Sequence, residues 1–344
     1  MRLVVTGGAG FIGSNFVRYM LAEHEDVQIV NLDKLTYAGN LENLADVAES
    51  PRYRFVQADV ADAKAVESIF ADGFDAILHL AAETHVDRSL EDASPFLRTN
   101  VLGTQVLLEA ARRHGVARFV HISTDEVYGS APPNASFDEN APLRPSSPYA
   151  ASKASGDLLV SSYVHTFGLP VVILRCTNNY GPYQFPEKMI PLMIANALED
   201  RPLPVYGDGL QARDWIHVED YCRAILAALR KGRAGEIYNV SAGRPRTNLE
   251  VIRTLLGFVG KPESLITFVQ DRPGHDRRYA LDSTKFRNEL GWEPRRSFEE
   301  GLASTVEWNR ANAAWLERCR SGAYRDYYQR HYTERGKTLA NWQG

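Results

Sequence analysis

Short apolar runs punctuate the first half of the chain, and each stops abruptly at polar or glycine-rich sequence. Leu3-Val4-Val5, Val27–Leu32, Tyr53–Gln57, Asp75–Leu80, Phe119–Ser123 and Val171–Leu174 read as buried strands. Helical patterns lie between them: Ser14–Glu23, a helix from near Ala63, a long one from roughly Asp87 to His114, and one carrying Tyr149 and Lys153. Strands alternating with helices predict an α/β fold with a doubly wound parallel sheet of Rossmann type. Ligands of such sheets sit outside the carboxyl ends of the strands, where Gly7, Asp33, Asp59, Ala81 and Thr124 all fall.

Beyond Arg175 the pattern changes. Cys176–Tyr183 is polar and irregular, Lys188–Leu198 is helix-like, and Pro202–Gly209 is turn-rich. Arg213–Val218 and Glu236–Val240 read as strands, and Glu219–Arg230 and Asn248–Val259 as helices. Asp271–Tyr279 is a loop rich in cations. An amphipathic helix is expected from Phe298 to about Cys319, with aromatic-rich sequence on to Gly344.

The first strand runs into Thr6-Gly7-Gly8-Ala9-Gly10-Phe11-Ile12-Gly13 and then a helix. That is the context of a dinucleotide fingerprint: Gly7 for the tight turn, Gly10 for close approach of a pyrophosphate, Gly13 for helix-on-strand packing. The helix N-terminus offers its free N–H groups to the phosphates. Asp33 follows Gly13 by 20 residues, where a carboxylate accepts from ribose hydroxyls and disfavours a 2′-phosphate, so NAD is expected over NADP. Lys34 softens that exclusion. Asp59 and Val60 reach the adenine side, although Asp59 also suits the cap of the helix near Ala63. Small Ala81-Ala82 let the chain pass close to a cofactor, and Thr84 and His85 point toward a substrate, whereas Asp87 reads as a helix cap.

The fifth strand ends in Thr124-Asp125-Glu126, a hydroxyl and two carboxyls. Tyr149 and Lys153, four apart, share one face of the next helix. A carboxyl pair facing a Tyr/Lys pair is acid–base equipment. In the second half, Lys188, Arg213, Arg272, Arg277 and Arg278 suit a diphosphate, because guanidinium groups match phosphate oxygens.

Composition narrows the class. The 344 residues are 44% hydrophobic, with net charge −4 and pI near 6.2, which points away from nucleic-acid or membrane surfaces. No apolar run approaches the ~18 residues of a membrane span, and no signal peptide is expected. Cys176, Cys222 and Cys319 fit no disulfide framework and no metal site, so reduced thiols in a cytoplasmic protein are expected.

Taken together, T-G-G-x-G-F-I-G, Y-x-x-x-K and the strand-end hydroxyl resemble the extended short-chain dehydrogenase/reductases acting on nucleotide sugars. Within that family, Ser123–Gly129, Glu83–Ser89, Arg175–Pro182 and Asp271–Arg278 are similar to the dTDP-glucose 4,6-dehydratases, with Thr84 and Thr177 where the family often has serine. The resemblance runs from Met1 through the tail. It implies NAD held by Phe11-Ile12, Asp33, Lys34, Leu35, Thr36, Asp59-Val60, Leu80, Ala81, Ala82, Thr84, Thr99, Tyr149, Lys153 and Asn179. It implies a sugar nucleotide lined by Thr84, Thr124, Asn178, Lys188-Met189, Pro204, Val205, Tyr206, Arg213, Asn248, Asp271, Arg272, Pro273, Gly274 and His275. It also implies a homodimer. The expected division is a NAD-binding Rossmann domain at 1–177 plus about 213–243, and a smaller nucleotide-sugar domain at about 178–212 plus 244–344. The expected reaction is water loss from dTDP-glucose, with Thr124, Asp125, Glu126, Tyr149 and Lys153 catalytic and no metal. The alternatives are a dehydratase for another nucleoside-diphosphohexose, or a 4-epimerase or decarboxylase, from which the Asp125-Glu126 pair distinguishes it.

Overall fold

The computed structural model describes residues 1–320, 323–329 and 332. Its centre is a parallel sheet of β1 (Arg2–Thr6), β2 (Gln28–Asp33), β3 (Tyr53–Gln57), β4 (Ala76–His79), β5 (Arg118–Thr124), β6 (Val171–Cys176) and the strand Ile237–Val240. Across the sheet the order is Ile237–Val240, β6, β5, β4, β1, β2, β3. The chain therefore winds outward in both directions from β1 and β4, which opens a crevice above their carboxyl ends.

The strands are apolar on both faces because both faces are covered. Leu3 and Val5 pack with Phe16, Met20, Tyr221 and Ile225, under the helices Phe11–Glu23 and Val218–Lys231. Val4 points the other way, into Val66, Phe70, Leu107, Val160 and Tyr163 of the helices Ala63–Phe70, Thr104–Arg113 and Pro148–Phe167. A separate core joins the helices Met189–Leu198, Asn248–Val259 and Phe298–Ala311 through Ile190, Met193, Leu255, Leu256, Leu302 and Val306.

Four expectations about local structure change. The long helix from Asp87 to His114 is broken. Asp92 is extended and accepts from the Ser94 N–H at 2.9 Å, and Pro95 opens the next segment. A π-helical stretch, Leu97–Gly103, then precedes Thr104–Arg113. The turn-rich Pro202–Gly209 contains a strand, Leu203–Tyr206, paired with Ile266–Val269, because Leu203 and Val205 bury into the second core. The irregular Cys176–Tyr183 contains Asn178–Tyr180, paired with Trp215–His217. The Phe298–Cys319 helix is two, Phe298–Ala311 and Ala313–Cys319, broken at Asn312, whose amide donates to the Trp308 carbonyl at 2.8 Å. Most of the aromatic-rich tail lies outside the described residues. Among the described residues no helix is long and apolar enough to cross a membrane, and no His/Cys/Asp/Glu group could hold a metal.

Candidate active site at the carboxyl ends of the sheet

One cavity of about 300 Å³ opens above β1, β4 and β5, at the low end of the range for small-ligand sites. Its floor is the glycine turn. Gly7 has φ +73, and a Cβ there would lie 2.7 Å from the Ala81 nitrogen. A Cβ on Gly13 would lie 2.2 Å from the Gly7 carbonyl oxygen. Crowding of backbone on backbone thus requires glycine at both positions. The helix Phe11–Glu23 starts at Gly10 with no side-chain cap, so its first N–H groups face the cavity. Leu80, Ala81 and Ala82 form the opposite wall, with Thr84 and Thr99 beyond.

At the carboxyl end of β2 Asp33 bridges two loops. It accepts from the Ala9 N–H at 2.9 Å and the Leu35 N–H at 2.8 Å, and burial pushes its acid upward. Asp33 therefore caps the following turn and faces the cavity as well. Leu35, in the left-handed region at φ +57, contributes that N–H and does not line the cavity, unlike Lys34 and Thr36. Asp59 is not the helix cap: Asp62 accepts from the Lys64 and Ala65 N–H groups, while Asp59 binds Ala61 N–H, Lys34 and Arg98. Val60 is buried at the same rim.

Thr124, Asp125, Glu126, Tyr149 and Lys153 all line the centre of the cavity. Thr124 ends β5 and caps the short turn Asp125–Tyr128, accepting from the Glu126 N–H at 3.2 Å and donating to Asp125 Oδ1 at 3.1 Å. Burial first, and the Glu126 charge second, push the Asp125 acid up to about 8. Burial also raises Glu126, but Arg272, Arg213 and Lys188 pull it back. Adjacent carboxyls in unlike surroundings are thereby set apart: burial raises both acids, and Glu126 is the one its neighbouring cations pull back.

Tyr149 and Lys153 share the buried face of Pro148–Phe167. The Lys153 Nζ donates to the Ile122 carbonyl at 2.6 Å. Burial and then the Glu126 charge hold the Tyr149 phenol well above its usual range, with the Thr124 hydroxyl pulling the other way. Release of the phenolic proton therefore follows neutralisation of Glu126 or arrival of positive charge beside the ring. Burial lowers Lys153 and Asp157 counters it. Asp157, one helical turn on, is itself gripped by Arg175 at 2.8 Å and His121 at 3.4 Å.

Five cavity-lining residues carry buried atoms without a hydrogen-bond partner among the described residues: Ser123 Oγ, Asp125 Oδ2, Thr177 Oγ1, Asn179 Oδ1 and Gln184 Oε1. Buried polar atoms of this kind call for a ligand. Together with the glycine floor and the open helix end, they fit a dinucleotide and a hydroxylated substrate.

The residues expected to line a sugar nucleotide are tied down by long-range side-chain bonds. Lys188 donates to the Thr84 carbonyl at 2.8 Å. Asp87 is not a helix cap; it binds Arg272 and Tyr206, each at 2.9 Å. His275 meets Asp271 at 2.6 Å. Thr84, Thr124, Asn178 and Lys188 line the cavity, whereas Met189, Pro204, Val205, Tyr206, Arg213, Asn248 and Asp271, Arg272, Pro273, Gly274 and His275 lie outside its lining. Val205 buries into the second core with Met189 packed against it, so their side chains are committed to packing. Arg277 pairs with Asp208 on the surface, and Arg278 holds the Pro132 carbonyl; neither enters the cavity. His85 is buried, and burial lowers it to about 4, so it is neutral at pH 7.

Sequence reasoning missed Glu187, a cavity-lining carboxyl like Glu83, and Tyr279, whose hydroxyl lies 3.4 Å from Glu126 Oε2. It also missed Asn100, which exchanges hydrogen bonds with the Glu83 backbone and reaches Ser152 from the π-helical stretch. Asp157 carried a signal: it stands four residues after Lys153 on the same face.

The family model for GDP-mannose 4,6 dehydratase matches residues 4–305. A dTDP-glucose 4,6-dehydratase of Streptomyces niveus is 55% identical over 325 residues, 93% of this chain and 96% of that one. The solved dTDP-glucose 4,6-dehydratase of Streptomyces venezuelae, with NAD bound, superposes with a TM-score of 0.90 at 53% identity, covering 93% of this chain and 100% of that one. The Thermus thermophilus UDP-glucose 4-epimerase, in complex with NAD, follows at TM-score 0.84 and 36% identity, covering 91% and 100%.

Proposed function

The chain belongs to the dTDP-glucose 4,6-dehydratase family, and on that premise we propose that it converts dTDP-D-glucose to dTDP-4-keto-6-deoxy-D-glucose as a hydro-lyase. The observation that carries the reading is the buried Asp125-Glu126 pair beside Tyr149, with Asp125 pushed up to about 8. NAD, when bound, would supply the hydride-accepting and hydride-donating chemistry that links C4 and C6. Gly7, Gly10, Gly13, Asp33, Asp59 and Lys153 are the residues to hold it.

Tyr149, once positive charge beside the ring has released its own proton, takes the proton of the C4 hydroxyl as the phenolate, and Thr124 hydrogen-bonds the same oxygen. The C4 ketone acidifies the C5 proton, which Glu126 removes. Asp125, protonated at pH 7, gives its proton to the departing C6 hydroxyl, which leaves as water. Glu126 then returns its proton to C5. The flanking Arg213, Arg272 and Lys188 keep Glu126 able to act as a base.

Three further features belong to the proposal. The division into a NAD domain at 1–177 plus about 213–243 and a sugar domain from the remainder is supported by the separate core of Met189–Leu198, Asn248–Val259 and Phe298–Ala311, although Phe286, Leu290 and Trp292 pack in the core under the sheet and Trp215 in the other. A homodimer is supported by the exposed Leu97, Leu102, Leu158 and Phe167 on the helical segments beside Thr104–Arg113 and Pro148–Phe167. A cytoplasmic location is supported by thiols in place of disulfides at Cys176, Cys222 and Cys319.

Turnover of dTDP-, UDP-, CDP- and GDP-glucose, followed by the alkaline absorbance of a 4-keto-6-deoxy sugar, tests the function. The signal is expected with dTDP-glucose above all. A 4-epimer without that absorbance would place the chain with the epimerases instead.

A further inference from the structure

We propose that Asp59, by holding the Lys34 ammonium and the Arg98 guanidinium at the rim of the cleft, is a specificity determinant that keeps a 2′-phosphorylated dinucleotide from binding as well as the unphosphorylated one. The inference rests on the cavity being a NAD site.

Discrimination is usually assigned to the carboxylate at the end of the second strand. Here that carboxylate is half occupied. Both Asp33 oxygens already accept backbone N–H groups, from Leu35 and Ala9. Its charge is thereby shared with two backbone dipoles before any ribose arrives. The very next residue is a lysine that lines the same cavity. A free ammonium there would attract a 2′-phosphate, opposing Asp33.

The structure shows what occupies that ammonium. Lys34 Nζ lies 2.9 Å from Asp59 Oδ2, and the Arg98 guanidinium reaches the same oxygen at 3.2 Å. Asp59 Oδ1 is fixed by the Ala61 N–H at 2.9 Å. Asp59 is thus held by its own turn, with one oxygen committed to the backbone and one to the two cations. Two carboxylates against two cations leave this rim neutral. Without Asp59 it carries a net positive charge facing the position that Asp33 guards.

Lys34 and Arg98 are half exposed, so the coupling is screened and modest. The test measures NADP⁺ against NAD⁺ by competition for the same protein, so that any nucleotide carried through purification enters both arms equally. Asp59→Asn keeps an oxygen for the Ala61 N–H, so the turn is retained. It is expected to move the affinity ratio toward NADP⁺ about three- to tenfold at low salt. The gain should shrink at high salt, and Lys34→Met added to Asp59→Asn should abolish it. An unchanged ratio, or a shift that survives both salt and Lys34→Met, overturns the proposal. If neither nucleotide competes on the unmodified protein, the NAD reading itself fails and takes the proposal with it.

Discussion

The two walls of the cleft are held by different kinds of bond. The dinucleotide wall is backbone pressed on backbone, with Gly7 against Ala81 and Gly13 against Gly7, set up by residues close in sequence or on adjacent strands. The contacts behind the other side, outside the cavity lining, are side chain on side chain across the fold, with Asp87 gripping Arg272 185 positions away and Tyr206 119 positions away. The difference teaches where each wall can yield. Backbone crowding has no alternative geometry short of moving a strand. An ion pair can open and reclose on a ligand.

The largest effect is expected between the walls, at the chemistry they share. Tyr149→Phe should lower kcat about 10³-fold with KM little changed, because it removes the base that both walls position. A fall of less than tenfold would assign the C4 proton elsewhere. Next, Asp125→Asn should slow water loss about 10²-fold while leaving C4 oxidation nearly intact, seen as accumulation of reduced nicotinamide absorbance. Equal loss of both steps would argue against its acid role.

The same residue makes a pH prediction. The Asp125 acid is raised in the folded protein, so its proton stabilises the fold fully below the ordinary carboxylate value of 3.8, and that contribution is lost as pH rises through about 8. Melting temperature should therefore decline less between pH 6 and 9 in Asp125→Asn, and the alkaline fall in water loss should vanish with it.

Two smaller effects sharpen the contrast of walls. Gly13→Ala should cost about 2–3 kcal/mol of stability, because its Cβ meets carbonyl oxygen and not a pliable side chain. Asp87→Asn should raise the sugar-nucleotide KM about tenfold, leaving NAD affinity unchanged. If Asp87→Asn weakened NAD instead, the two walls would be one cooperative unit.

The same contrast explains what could be read from the chain. Gly7, Gly13, Asp33, the strand-end Thr124-Asp125-Glu126 and the Tyr149/Lys153 spacing are short-range patterns, and the cavity brings all of them together. The strand Leu203–Tyr206 was hidden because its partner among the described residues, Ile266–Val269, lies far along the chain. Asp59 and Asp87 each looked like a helix cap, since a carboxylate ahead of a helix is locally indistinguishable from a cap. Their cations, Arg98 and Arg272, arrive only with the tertiary fold. Tyr279 beside Glu126 was out of reach for the same reason.

The central claim is that one hydride leaves C4 and comes back to C6 of the same sugar while Asp125 and Glu126 expel water. Deuterium placed at C4 of dTDP-glucose tests it most directly, read by mass and nuclear magnetic resonance of the product. The account predicts deuterium at C6 of the 4-keto-6-deoxy sugar. Deuterium released to solvent, or retained at C4, would contradict it.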